Sequence, residues 1–332
     1  MKNVGITTTI PVEVIFASGN IPIDLNNIFI GSDKYSEYID FAEKEGLPKS
    51  MCAWIKGLYG ACLKNNINTI VGVLEGDCSN TKVLSELLAE KGVEVVPFSY
   101  PYDNNINKLK KSIDELISYF NIDIDKVEKI REQLNLIRDR ALYIDHLTYK
   151  ENKASGFENH LNLVSTSDFN RDYIMFSQYI EDNIRIIEKK DKFRDKIRLA
   201  YIGVPPMTVD IYQFLEERES RIVYNEVQRE FAFPRNRDAK NIYEQYTDYT
   251  YPYNLKIRLN EIKKQIKLRK IDAVIHYTQA FCHRAAENII IKKELDVPLL
   301  NIEGDKLKFL DARTKLRIEA FIDMVKDLKV ME

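Results

Sequence analysis

The side chains of this 332-residue sequence best able to do chemistry are four cysteines, Cys52, Cys62, Cys78 and Cys282, and four histidines, His146, His160, His276 and His283. The histidines form no close His/Glu metal pattern, and no CxxC zinc motif is present. There is no GxxxxGK(S/T) and no GxGxxG after a strand, so if ATP drives the chemistry another protein must bind it. Thiol chemistry remains. Cys78 closes the run Thr69-Ile-Val-Gly-Val-Leu-Glu-Gly-Asp-Cys78, and Cys282 closes Asp272-Ala-Val-Ile-His-Tyr-Thr-Gln-Ala-Phe-Cys282. In both, a buried-type strand enters a short loop and a cysteine stands where the next helix begins. Cys52 also precedes a helix-like run, Ala53-Trp-Ile-Lys-Gly-Leu-Tyr59.

A helix N-terminus presents unpaired N–H groups and the positive end of its dipole, which favours a thiolate over a thiol. Thiolates bind iron, and N–H groups aimed at cluster sulfur tune its potential. Three thiolates meeting in a cleft would hold a 4Fe–4S cubane and leave one iron open to a substrate oxygen or a water. Spacing by itself does not identify a cluster, because these cysteines are far apart, unlike the tight ferredoxin runs. Each cysteine taken singly reads as a packed small hydrophobe, as Cys62 does among Ala61 and Leu63. Two of them at equivalent places of a repeated plan favour the ligand reading.

Other polar positions have bland readings beside the chemical ones. His276 lies inside a strand and reads as a buried structural histidine; His283, next to Cys282, could donate to substrate or cluster. Glu303 follows a strand and could handle a proton, or could belong to a turn that starts the last helix with Asp305 near its N-cap. The run Tyr243-Glu-Gln-Tyr-Thr-Asp-Tyr-Thr-Tyr-Pro-Tyr253 could line a pocket or a subunit contact, with surface loop packing as its default.

The elements that must position these residues alternate short Val/Ile/Leu runs with amphipathic stretches, the pattern of parallel sheets with crossover helices. Strands are expected at Val4–Thr8, Asn68–Leu74, Val93–Phe98, Arg198–Gly203, Arg221–Asn225, Ala273–Tyr277 and Pro298–Ile302. Helices are expected at Val12–Ala17, 36–45, 53–65, 81–91, 105–120, 124–144, 170–190, 208–218, 254–269, 283–294 and 308–328. Ser155-Gly156 reads as a surface turn. The openings match as well: Val4–Thr8 precedes Pro11 and a helix, and Arg198–Gly203 precedes Pro205-Pro206 and a helix. Duplication of one α/β unit explains the parallels. The expected domains are 1–122 with Cys52 and Cys78, a helical connector or cap at 123–196, and 197–332 with Cys282.

A net charge of −2 gives no global case for nucleic acid or an anionic membrane. Lysines 108, 110 and 111, with acids interleaved, read as a solvated helix face. No apolar run is long enough to cross a bilayer, and the chain opens on a strand-like segment, which together point to the cytoplasm. Disulfides are not expected there.

The segments Cys282-His-Arg-Ala-Ala-Glu287, Leu295-Asp-Val-Pro-Leu-Leu-Asn-Ile-Glu-Gly-Asp305 and Arg313-Thr-Lys-Leu-Arg-Ile-Glu-Ala-Phe321 resemble the C-terminal signature of the 2-hydroxyacyl-CoA dehydratase component D family. That family includes subunits of ATP-dependent benzoyl-CoA reductase. The opening, from Val4 through Pro11-Val-Glu13 to Ile21-Pro-Ile-Asp24, is similar to the family's strand, Pro-x-Glu helix and following strand. Met51-Cys52-Ala-Trp-Ile-Lys-Gly57 and Glu75-Gly-Asp-Cys78 match the places of its first two cluster cysteines. The resemblance implies two doubly wound, flavodoxin-like domains with a cluster in the cleft between them, held by Cys52, Cys78 and Cys282. It further implies a separate ATP-hydrolysing iron–sulfur activator that supplies a low-potential electron. In the dehydratases a thioester carbonyl is then reduced to a ketyl radical, which expels the neighbouring hydroxyl. Family subunits usually carry a helical stretch before the opening strand, and this chain starts on that strand. Three further readings stay open: a double-cubane 8Fe–9S reductase of small molecules, a non-catalytic cluster carrier in a homo- or heterodimer, and a metal-free α/β binding protein.

Overall fold

The structure is a computed structural model and describes residues 1–235 and 238–331. The chain begins with β1 (Asn3–Ile6), α1 (Val12–Ala17), β2 (Ile21–Asp24), α2 (Leu25–Gly31), α3 (Tyr35–Lys44) and α4 (Ala53–Lys64). It continues through β3 (Thr69–Glu75), α5 (Asn80–Glu90), β4 (Glu94–Ser99) and α6 (Ile106–Tyr119). Next come α7 (Ile124–Tyr149), α8 (Gly156–Val164), two short 3₁₀ turns at Ser165–Ser167 and Phe169–Arg171, and α9 (Tyr173–Glu188). The remainder is β5 (Ile197–Gly203), α10 (Ile211–Glu216), β6 (Ser220–Asn225), α11 (Glu226–Glu230), α12 (Ile242–Thr247), α13 (Leu255–Arg269), β7 (Ala273–Gln279), α14 (Arg284–Glu294), β8 (Leu299–Gly304) and α15 (Ala312–Met331).

Two compact units result. The first comprises Met1–Asp139, Ser165–Tyr179 and Glu230–Asn254; the second comprises Arg140–Val164, Ile180–Arg229 and Leu255–Glu332. Each contains one four-stranded, all-parallel sheet. The orders are β2-β1-β3-β4 and β6-β5-β7-β8, the same arrangement twice and the flavodoxin-like order expected. A parallel sheet flanked by helices is buried on both faces, so its central strands need apolar side chains in both directions. In the second unit Leu199 and Tyr201 of β5 join one core cluster with Ile211, Leu215 and Ile322, while Ala200 and Ile202 join the other with Ile262 and Ile291. All seven residues of β7 are buried. Its polar members His276, Thr278 and Gln279 are therefore buried along with Ala273, Val274, Ile275 and Tyr277.

Some local expectations are corrected. β2 has no counterpart among the strands read off the pattern, because four residues with a proline give little signal; only the family resemblance carries it. Gly156 is not a surface turn. It is buried and begins α8, where a Cβ would come within 2.9 Å of the Ile222 carbonyl oxygen. The tyrosine run is not surface packing either: Tyr246, Tyr249, Tyr251 and Tyr253 are buried in the first unit. Tyr246 donates to Glu13 Oε2 and to the Ile10 carbonyl, both at 2.7 Å, and Arg138 donates to Glu13 Oε1 at 2.7 Å. The glutamate of the Pro-x-Glu opening is therefore an anchor for a buried network. The last helix starts at Ala312, beyond Asp305, and Asp311 caps it by accepting from the Thr314 N–H at 2.6 Å.

Gly203 ends β5 with φ +100°, and an added Cβ would lie 2.1 Å from the Tyr277 carbonyl oxygen of the neighbouring strand. Both the backbone conformation and the close approach demand glycine. Gly203→Ala is expected to cost about 2–3 kcal/mol in chemical denaturation, from the strained dihedral and the displaced β7 backbone.

Candidate thiolate site

In a parallel sheet each strand delivers its following loop to the carboxyl edge, and the helix leading into the next strand starts from that edge. β3 therefore carries Cys78 to the carboxyl edge of the first sheet, and α4, which feeds β3, starts there with Cys52 immediately before it. At the end of β3 the chain turns at Gly76, φ +90°, where a Cβ would lie 2.6 Å from Tyr100 Cβ and 3.1 Å from Pro252 Cβ. Cys78 is half-buried; its carbonyl accepts the Thr81 N–H at 2.9 Å as α5 begins. Cys52 is buried, and its carbonyl accepts the Lys56 N–H at 3.2 Å. One helical turn on, the fully buried Lys56 ammonium donates to Glu43 Oε1 at 2.8 Å and to the Lys49 carbonyl at 3.1 Å. That lysine fixes the turn that delivers Cys52. Cys62 lies in the core as expected: its thiol donates to the Ile67 carbonyl at 3.4 Å, and burial pushes its pKa up to about 12. Near this edge a cavity of about 420 Å³ is lined by Glu75, Ser99, Pro101, Tyr102, Asp103, Lys108 and Ser112.

The second unit repeats the plan. β7 ends at Gln279, Phe281 adopts φ +65°, and Cys282 donates its N–H to the Gln279 carbonyl at 3.0 Å. Cys282 is half-buried, two residues before the first residue of α14. Burial pushes its thiol up, while the Arg284 N–H and the positive charge of Arg284 act in the opposite direction. Behind it stands a chain of alternating charges. The fully buried Arg258 grips Glu226 with two bonds, at 2.8 and 3.0 Å, and also bonds Glu287, which accepts from Arg284 at 3.1 Å. Glu226 additionally accepts the Gly203 N–H at 2.9 Å. Despite its desolvation Glu287 is held below the ordinary carboxylate range by Arg258 and Arg284.

The remaining predicted positions separate clearly. His283 is exposed at the start of α14. His276 is fully buried in β7, with Nδ1 3.3 Å from Asn288 Oδ1, and burial lowers its pKa. Glu303 is exposed near the end of β8, in register with Thr278 of β7. Cys52 and Cys78 thus share the carboxyl edge of one sheet, and Cys282, His283 and Glu303 belong to the same edge of the other. Among the described residues no group of three or more His, Cys, Asp or Glu side chains is gathered as a metal site. Sequence reading missed Lys56, Arg258, Glu226 and Glu287 as supports of the cysteine-bearing turns. The one available signal was their position: Lys56 one turn after Cys52, and Glu287 five residues after Cys282.

The family model described as 2-hydroxyglutaryl-CoA dehydratase, D-component, matches residues 7–325. No curated protein matches the chain.

Proposed function

The chain belongs to the 2-hydroxyglutaryl-CoA dehydratase D-component family, and from that premise we propose that it is a cluster-bearing subunit of a 2-hydroxyacyl-CoA dehydratase-type lyase. Cys52, Cys78 and Cys282 are its thiolate ligands in this reading. One observation carries it: Cys78 and Cys282 occupy the same topological place, after the third strand of two sheets with identical strand order. The donor chemistry suits iron. The thiols stand at helix openings, and the thiol of Cys282 receives a backbone N–H and faces an arginine.

Held by three thiolates, a 4Fe–4S cluster supplies single-electron chemistry and one iron able to take an oxygen ligand. The chain's own residues supply position and charge. Lys56 secures the turn before Cys52, and the Arg258–Glu287–Arg284 chain secures the start of α14 beside Cys282. Glu303 and His283 are proposed to hold and move protons at the edge of the second sheet. The reading includes an acyl-CoA-type substrate, an ATP-hydrolysing iron–sulfur activator, a related second subunit in a homo- or heterodimer, and a cytoplasmic setting. No helix of the described residues is long and apolar enough to cross a membrane.

Anaerobic purification with iron analysis and EPR tests this. The expected result is a coloured protein with a cluster spectrum that changes when a 2-hydroxyacyl-CoA is added. A cluster indifferent to every such thioester would mark an electron-carrying partner instead, and a protein without iron after anaerobic reconstitution would overturn the reading.

A further inference from the structure

Two carboxylic acids lie buried together in the first unit, far from one another in sequence. Asp24, 3% exposed, ends β2 and caps α2; Asp168, 2% exposed, sits between the two 3₁₀ turns. The Asp24 backbone N–H donates to Asp168 Oδ2 at 2.9 Å. Asp24 Oδ1 accepts from the Asn26 backbone at 2.9 Å and from Asn26 Nδ2 at 2.7 Å, and Asp24 Oδ2 accepts from Ser167 Oγ at 2.6 Å. Asp168 Oδ1 accepts from the Asn170 N–H at 3.0 Å and from Asn27 Nδ2 at 3.4 Å. Among the described residues neither acid has a salt-bridge partner; apart from each other, the charged side chain that bears on the pair is Arg171, acting at a distance. All these partners are hydrogen-bond donors of neutral groups, so the site stabilises one negative charge well and two poorly.

Burial raises both acids, and the Asp24 charge raises Asp168 further, to about 7. The backbone beyond Asp168 is strained as well: Phe169, Asn170 and Arg171 are consecutive residues at φ 51°, 50° and 71°. Such a run persists only while its surroundings hold it. The pair also reaches the candidate thiolate site. Asn26, bonded to Asp24, accepts the indole N–H of Trp54 on its Oδ1 at 2.6 Å, and Trp54 lies in the first turn of α4, two residues after Cys52.

We propose that the buried Asp24–Asp168 pair holds one proton and one negative charge, and that loss of this proton to solvent loosens the 167–171 turn and shifts Asn26, Trp54 and the start of the helix that Cys52 opens. The pair then acts as a pH-sensitive positioning device for that helix. Its relevance to Cys52 rests on the ligand reading above; the pair's single proton does not.

Trp54 is the sole tryptophan of the chain and reports on this site directly. In the full chain, Trp54 emission is expected to titrate with a midpoint near pH 7, and Asp24→Asn is expected to abolish that transition or lower its midpoint by about one unit or more. The amide introduced by Asp24→Asn can keep accepting from Asn26 and can donate to Ser167, so the fold is preserved. Asp168→Asn should also remove the transition. The stability sign follows from linkage: a carboxyl raised in the folded state favours folding below its ordinary range and loses that advantage as pH climbs toward neutrality. The wild-type urea midpoint should therefore fall from about pH 5 to about pH 8 more steeply than that of Asp24→Asn. Emission that is flat across this range in the wild type, or a transition that survives unchanged in both variants, would overturn the proposal. A chain that binds no iron yet shows the transition keeps the proton pair and loses the cluster; the reverse outcome separates them the other way.

Discussion

Cys78→Ala and Cys282→Ala are each expected to lose most of the iron that the wild type takes up on anaerobic reconstitution, whereas Cys62→Ala keeps it. The contrast follows from position rather than residue type. Cys78 and Cys282 are half-buried at the carboxyl edges of their sheets, beside helix openings; Cys62 is sealed in α4 with its thiol on the Ile67 carbonyl. Burial, which pushes the Cys62 thiol up to about 12, disfavours its thiolate. Cys52→Ala belongs with the first pair, since Cys52 precedes the helix that leaves the edge bearing Cys78. Iron per chain by colorimetric assay, with circular dichroism to confirm folding, is the measurement. Equal iron in Cys62→Ala and Cys78→Ala would show that the loss is not one of ligation.

Arg258→Ala is expected to destabilise the chain by about 3–5 kcal/mol, the range for removing one partner of a buried ion pair. Arg258 is fully buried and bonds two carboxylates, Glu226 and Glu287. Without it, among the described residues, Glu226 keeps the Gly203 N–H and Glu287 keeps Arg284. Arg258→Lys should recover little, because an ammonium cannot reproduce a fork that meets Glu226 through two nitrogens and Glu287 through a third. Pairing Arg258→Met with Glu226→Gln should recover more, since it removes the stranded charge along with its partner. Urea denaturation of these variants decides this; a loss below about 1 kcal/mol in Arg258→Ala would mean that water reaches the site.

Much of the molecule was legible from the chain. Seven of the eight described strands announced themselves because strands of a parallel sheet are buried on both faces and are rich in apolar residues, as in Ala273-Val-Ile275. The repeated plan was legible too, and it could have supplied the missing strand: β6, at Arg221–Asn225 in the pattern, has its counterpart in β2. Ile21–Asp24 alone is too short and too polar to stand out. The tyrosine run misled because alternating Tyr, Thr and Asp resembles a surface loop, yet Tyr246 satisfies its hydroxyl on Glu13 and the Ile10 carbonyl, and Tyr253 on the Tyr246 carbonyl. A buried tyrosine needs such partners, and composition does not reveal them.

By itself, then, the sequence determined where most strands and helices form, that one α/β plan occurs twice, and that three cysteines stand at helix openings. These are consequences of local spacing: periodic apolar residues, turn formers and the strand-to-helix junctions they punctuate. Only the tertiary structure decided that Arg258 bridges Glu226 to Glu287, that Lys56 pins the turn before Cys52, and that Asp24 meets Asp168 with, among the described residues, no salt-bridge partner for either. Such pairings join residues from 7 to 144 positions apart, and their energies exist only once water has been removed from around them. A charge in the unfolded chain carries no mark of the partner it will meet, because desolvation, which makes that partner necessary, is a property of the folded interior.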